Sequence, residues 1–129
     1  MKKIILAVIS LYFVCCCIST VEIYNLIKYS FLTNNSYNEC LSRYISKDIF
    51  EGINKSHFFD DKIPSKKKLK LYMLFSICNF KNGIVWMRYT FERKDLKNSV
   101  ISGSYDVPMK IYIRREEWHW KIVKKEETP

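Results

Sequence analysis

The stretch KLYMLFSICNFKNGIVWMRYTFER, residues 70–93, decides the fold. Two runs alternating in polarity, Lys70 to Phe80 and Ile84 to Arg93, flank Lys81-Asn82-Gly83, the pattern of a β-hairpin. A two-residue Asn-Gly turn would set apolar Ile77 against charged Arg88. A three-residue loop instead pairs Phe80 with Ile84. It puts Ile77/Met87, Phe75/Tyr89 and Met73/Phe91 opposite one another on one face. Such a loop is a type I turn closed by a left-handed residue, and Gly83 stands where that residue falls. A one-residue slip turns every side chain over, so the alternation predicts this register.

Downstream, Lys94 to Asn98 reads as a polar turn and Val100-Ile101 as the start of a third strand, interrupted at Gly103 and Pro108 as bulges or edges are. Val107, Met109, Ile111 and Ile113 alternate with polar neighbours. Closing on Arg115-Glu116-Glu117-Trp118 sets Ile113 against Trp120 and Ile111 against Ile122. The predicted buried face is Met73, Phe75, Ile77, Met87, Tyr89, Phe91, Ile111 and Ile113. Residues 126–129 are polar and should fray.

Upstream, Ser36-x-x-Glu39 is a capping box, followed by an apolar stripe of Tyr37, Cys40, Leu41, Tyr44, Ile45 and Ile49. That spacing predicts a helix over 36–52, ended by Gly52, with Ser46 to Asp48 as a point of division, packed on the sheet. Ile23, Leu26, Ile27 and Phe31 extend helical spacing through residues 22–35, a connector broken at Thr33-Asn34-Asn35. The expected fold is α+β. A hydrophobic amino-terminal helix precedes an amphipathic helix packed on a curved antiparallel meander, with residues 36–125 as the domain.

Lys2-Lys3 precedes Ile4 to Val21, a run without a charge or a polar face. It reads as a membrane anchor or uncleaved signal segment over residues 1–21. The flanking lysines then place the amino terminus in the cytoplasm and the body outside, as a single-pass signal-anchored protein of the cell membrane. Cys17-Ile18-Ser19 is the nearest approach to a cleavage site. Val14-Cys15-Cys16-Cys17 fits the first and last positions of a lipobox, which makes Cys17 a candidate for lipidation, against plain apolar filling.

In 129 residues, 48% are hydrophobic and 16% aromatic, enough for one small packed domain with an appendage, and this excludes a disordered chain. The net charge of +9 suits a solvated surface or an anionic partner such as nucleic acid, lipid headgroups or a wall polymer. Gly52 to Lys68 reads as a loop with a solvated Lys66-Lys67-Lys68 run. In it His57 stands beside Phe58-Phe59 and Asp60-Asp61, a poor metal-ligand arrangement, since ligands converge from separate elements. His119, between Trp118 and Trp120, reads as an exposed strand residue. Neither histidine sits in a nucleophile–base pattern and there is no glycine-rich phosphate loop. No catalytic, cofactor or metal site is predicted. Tyr72, Trp86 and Arg88 on the second sheet face, beside Lys70 and Lys110, could stack single-stranded bases. Cross-strand packing explains the same residues, and an outward body argues against nucleic acid. Face parity puts Cys78 with Leu74, Ser76 and Trp86, away from Cys40, so no disulfide is expected between the two and both are expected as thiols.

Anchor, amphipathic helices and a meander ending in Trp120-Lys121-Ile122-Val123 resemble small exported NTF2-like (cystatin-like cone) domains of bacteria. Tyr112 to Val123 carries that ending, with Glu116-Glu117 in the turn where the family has a glycine. The resemblance implies helices over a concave sheet face and a pocket, on a fold that hosts enzymes, binding modules and scaffolds alike. The expected function is a membrane-tethered, exported, non-catalytic binding or assembly domain. It would contact lipid through residues 4–21, together with a protein partner. The alternatives are a scaffold resembling VirB8-type secretion-channel subunits and a small hydrolase or isomerase using the cone pocket. An exposed apolar patch would favour assembly, a deep pocket with a lone acid or histidine an enzyme, and a continuous basic stripe a polyanion binder.

Overall fold

The computed structural model describes residues 1–54 and 65–127, apart from the side chains of residues 14–19. The elements run α1 (Lys2–Leu32), α2 (Glu39–Ser42), α3 (Lys47–Ile53), β1 (Ser65–Cys78), β2 (Asn82–Asp95), β3 (Val100–Glu116) and β4 (His119–Glu127). The strands form one antiparallel sheet in the order β1-β2-β3-β4, an α+β meander. Register shifts at Met73/Phe75, Tyr89/Phe91, Arg93/Lys94 and Tyr112/Ile113 bend and twist these long strands, as an unpaired extra residue does.

The first register differs from the expected one on both sides of a bulge in β1. Leu69, Leu71 and Met73 pair with Phe91, Tyr89 and Met87, whereas beyond Leu74 the pairs become Phe75/Trp86 and Ile77/Ile84. An extra residue reverses face parity. Phe75 and Ile77, expected in the core, therefore stand on the outer face with relative exposures of 54% and 59%. Met87, Tyr89, Phe91, Ile111 and Ile113 are buried as expected, and Met73 is half-buried against them.

Turn chemistry differs too. Cys78 pairs with Gly83, and Asn79 organises the loop between them: its Oδ1 accepts from the Lys81 and Asn82 amides, both at 2.8 Å. Gly83 has no positive φ. Its glycine is required by space, because a Cβ there would lie 2.9 Å from Ile113 Cγ1 and 3.0 Å from Cys78 Cβ. The left-handed turn residues are instead Asn98 (φ 66°), between β2 and β3, and Glu117 (φ 55°), between β3 and β4. In the last hairpin Ile113 faces Ile122 and Arg115 faces Trp120, a two-residue offset from the expected pairing.

The expected helix over 36–52 divides. Asn38, not Ser36, caps α2, its side chain accepting from the Leu41 amide at 3.0 Å. The chain then extends at Ile45, which forms a parallel bridge with Ile122, before α3 begins. Gly52 falls inside α3, which ends at Ile53. A short parallel bridge satisfies backbone groups on the β4 edge, and that tertiary pairing outweighs the helical spacing.

The main cover of the sheet is α1. Ile23, Ile27 and Phe31 are buried in one core with Phe50 and Ile53 of α3 and the odd-numbered face of β2 and β3. Each such side chain contributes roughly 1.5–3 kcal/mol on burial. Farther along, Tyr24 Oη donates to the Leu71 carbonyl at 3.4 Å, Thr20 Oγ1 and Ser76 Oγ are 2.8 Å apart, and Tyr12 Oη donates to the Cys78 carbonyl. Residues 22–35 are therefore no connector; they complete the domain, and α1 follows the β1 edge. Its end is tied down at Thr33, whose carbonyl accepts from Asn54 Nδ2 at 3.1 Å.

This arrangement corrects the expectation of a transmembrane signal-anchor and of a single-pass protein of the cell membrane. Among the described residues no helix is long and apolar enough to cross a membrane. The expected span is bonded to β1 through Tyr12 and Thr20, and the same helix continues into the core at Ile23, Ile27 and Phe31. Cys17, the lipidation candidate, has its side chain outside the described residues.

Candidate functional site, the outer sheet face and the turn end

The even-numbered positions of β2, and of β3 from Pro108 onward, face away from the helices, and with the flipped half of β1 they build an aromatic and basic surface. Cross-strand pairing sets Tyr72 beside Arg88, Phe75 beside Trp86, Trp86 beside Lys110, Ile84 beside Tyr112, and Tyr112 beside Lys124. Phe75 and Trp86 stack with ring centroids 4.4 Å apart and planes at 17°. Lys110 Nζ lies 5.5 Å from the Trp86 ring and 5.4 Å from the Tyr112 ring, and Lys124 Nζ lies 5.2 Å from Tyr112. Structure thus brings together Tyr72, Trp86, Arg88 and Lys110, as the alternation implied. It adds Phe75, Tyr112 and Lys124. Phe75 could not be placed here from sequence, because nothing in Met73-Leu74-Phe75 announces a bulge.

Two cations on this face have carboxylate partners. Arg88 Nη1 pairs with Asp106 Oδ2 at 3.0 Å, and Lys124 with Glu126 Oε1 at 3.0 Å. Tyr112 Oη donates to Glu126 Oε2 at 3.1 Å. The Lys124 ammonium and then the Tyr112 hydroxyl hold the Glu126 carboxyl below its usual range, while Glu126 raises Lys124. Ladders of this kind stabilise a sheet face by modest amounts. They do not make a nucleophile or a proton-transfer pair.

A cleft of about 450 Å³ opens where this face meets the β1–β2 turn. Its walls include Ile77, Ile84, Tyr112 and Val123, with Lys124 as its cation; among the described residues no carboxylate or imidazole lines it. Among the described residues no three His, Cys, Asp or Glu side chains converge as metal ligands do. His57, Asp60 and Asp61 lie outside the described residues. Of the lysine run, Lys66 and Lys68 are exposed as expected, whereas Lys67 turns to bond Asn34 Oδ1 at 3.0 Å and brace the end of α1. His119 is not the exposed strand residue its flanking tryptophans suggested. It packs against Tyr44 at 5.1 Å, and its Nε2 is buried without a hydrogen-bond partner.

Cys40 is an exposed free thiol and Cys78 is disulfide-bonded, so the two are not joined, as expected. The expected reason fails, however. The β1 bulge turns Cys78 inward towards Ile113, and Cys78 is not a thiol.

The turn end carries the most exposed large rings of the sheet. Phe80, in the β1–β2 turn, is 87% exposed and Trp118, in the β3–β4 turn, 92%. The Arg115 amide donates to the Lys81 carbonyl at 2.7 Å and locks the two turns side by side. Exposed Leu74, Phe75 and Ile77 continue the apolar surface along β1, and Ile4 to Phe13 of α1 include exposed Ile4, Ile5, Leu6, Val8, Ile9 and Leu11. Comparison with protein-family models, with curated proteins and with solved structures found no match to this chain.

Proposed function

We propose that this protein is a non-catalytic binding and assembly domain that works through an exposed apolar surface. The observation that carries the reading is the exposure of Phe75 and Ile77, placed on the outer face by the β1 bulge, with exposed Leu74 beside them on β1 and exposed Phe80 in the following turn. Large apolar side chains gathered on the surface of a folded domain mark docking surfaces, because exposure brings no gain to the isolated molecule. The cleft beside it offers apolar walls and one lysine, the chemistry of holding a group in place. A curved meander with helices on one face is an architecture, not a role. That fold hosts many functions, so the surface and not the fold carries the argument.

The test compares wild type with Phe75→Ser/Ile77→Ser. Folded wild type should bind an apolar fluorescent dye, and the variant should bind clearly less while still unfolding cooperatively, at a temperature lowered only by the lost Phe75–Trp86 stacking. Dye binding that is absent from the native wild type, or unchanged in the variant, would sink the reading.

A further inference from the structure

We infer that the turn end docks on an anionic lipid interface; this rests on the surface-docking reading and names its partner. Three separate elements bring apolar groups to this end. Phe80 and Trp118 project from adjoining turns, joined by the Arg115–Lys81 backbone hydrogen bond. The third is α1. Tyr12 is bonded to the Cys78 carbonyl, just before the β1–β2 turn, while Thr20 and Tyr24 meet β1 at Ser76 and Leu71. The helix therefore runs towards the turn end, and Ile4 to Leu11 continue past it for about 12 Å at the helical rise.

The chemistry of that end selects lipid over a protein groove. Ile4 to Leu11 have no polar face, so they need apolar surroundings on every side, which a flat protein surface does not provide. Large rings at loop tips need no matching pocket in a fluid, and an indole suits headgroup depth, with its N–H among polar groups and its rings against acyl chains. Lys81 adjoins Phe80, and Arg115 and Lys121 lie within three residues of Trp118, while Arg114 is paired with Glu116 at 2.7 Å; the whole chain carries +9. Cations so placed meet phosphates when the rings enter. Twelve ångströms is well under the roughly 30 Å of a hydrocarbon layer, so the contact is with one interface and involves no crossing.

Flotation of the purified full-length protein with phosphatidylcholine vesicles, with and without phosphatidylglycerol, tests this. Wild type should float with the anionic vesicles, less so as salt rises. Phe80→Ser/Trp118→Ser should lower the bound fraction about tenfold with unchanged thermal unfolding, since interfacial binding scales with inserted apolar area. Lys81→Gln should weaken binding to anionic vesicles only. No flotation of wild type, or equal flotation of the double variant, would overturn the inference. Sedimentation of the same proteins separates the two ideas. Dimers that the double variant dissociates, without vesicle binding, would overturn the lipid partner and leave surface docking standing. Monomers without vesicle binding would overturn the lipid partner, while dye binding in wild type against Phe75→Ser/Ile77→Ser decides the docking reading separately.

Discussion

Replacing Phe31 by alanine tests whether α1 is an integral part of the domain. Phe31 is 1% exposed and wedged over the sheet, with ring centroids 4.8 Å from Tyr89 and 5.8 Å from Phe91. Truncation removes a buried ring and leaves a cavity that a helix tied at Tyr24 and Thr33 cannot close, a loss of about 3–5 kcal/mol. Against a total of roughly 5–15 kcal/mol for a small domain, that is a large fraction. Phe75→Ala is the control, because on sequence pattern alone Phe75 is the buried residue. Half exposed and stacked on Trp86, it should cost only about 1–2 kcal/mol. Urea unfolding followed by circular dichroism, with the disulfide intact, gives both values. A Phe31→Ala cost below that of Phe75→Ala would refute the placement of α1 and of the β1 bulge together.

Gly83→Ala should destabilise by about 1–3 kcal/mol through the overlap with Ile113, and Ile113→Val should recover part of the loss by removing Cδ1; thermal melts of the single and double variants decide it. The Tyr89 phenol is pushed well above its ordinary value, first by burial and then by the Glu127 carboxylate that accepts its hydrogen bond at 3.1 Å. Its folded pKa exceeds the unfolded one, so its contribution is complete below about pH 10 and is lost as pH rises towards the folded value. Tyr89→Phe should therefore show a flatter loss of stability than wild type in urea titrations between neutral and strongly alkaline pH. An identical slope would contradict that origin. In the unreduced protein a thiol reagent should modify Cys40 at once and Cys78 only after reduction, read by peptide mass mapping.

Alternation alone determined much of this fold. Val85 to Phe91 and Met109 to Ile113 keep strict period two, and burial follows that period because one sheet face is dry and the other wet. The sequence likewise marked Tyr72, Trp86, Arg88 and Lys110 as companions on the wet face. What it could not set is where the period breaks. The bulge at Leu74 depends on how β1 curves against β2 and α1, and it moved Phe75 and Ile77 from the expected core to the exposed surface that now carries the functional reading. Nor could local spacing decide what covers the sheet. Ile23, Ile27 and Phe31 have the same helical period in a connector as in a core helix, and only their contact with Tyr89 and Phe91 distinguishes the two. Periodicity is a local property of the chain and could be read; the partner of each apolar face is a long-range choice, set by packing among segments distant in sequence.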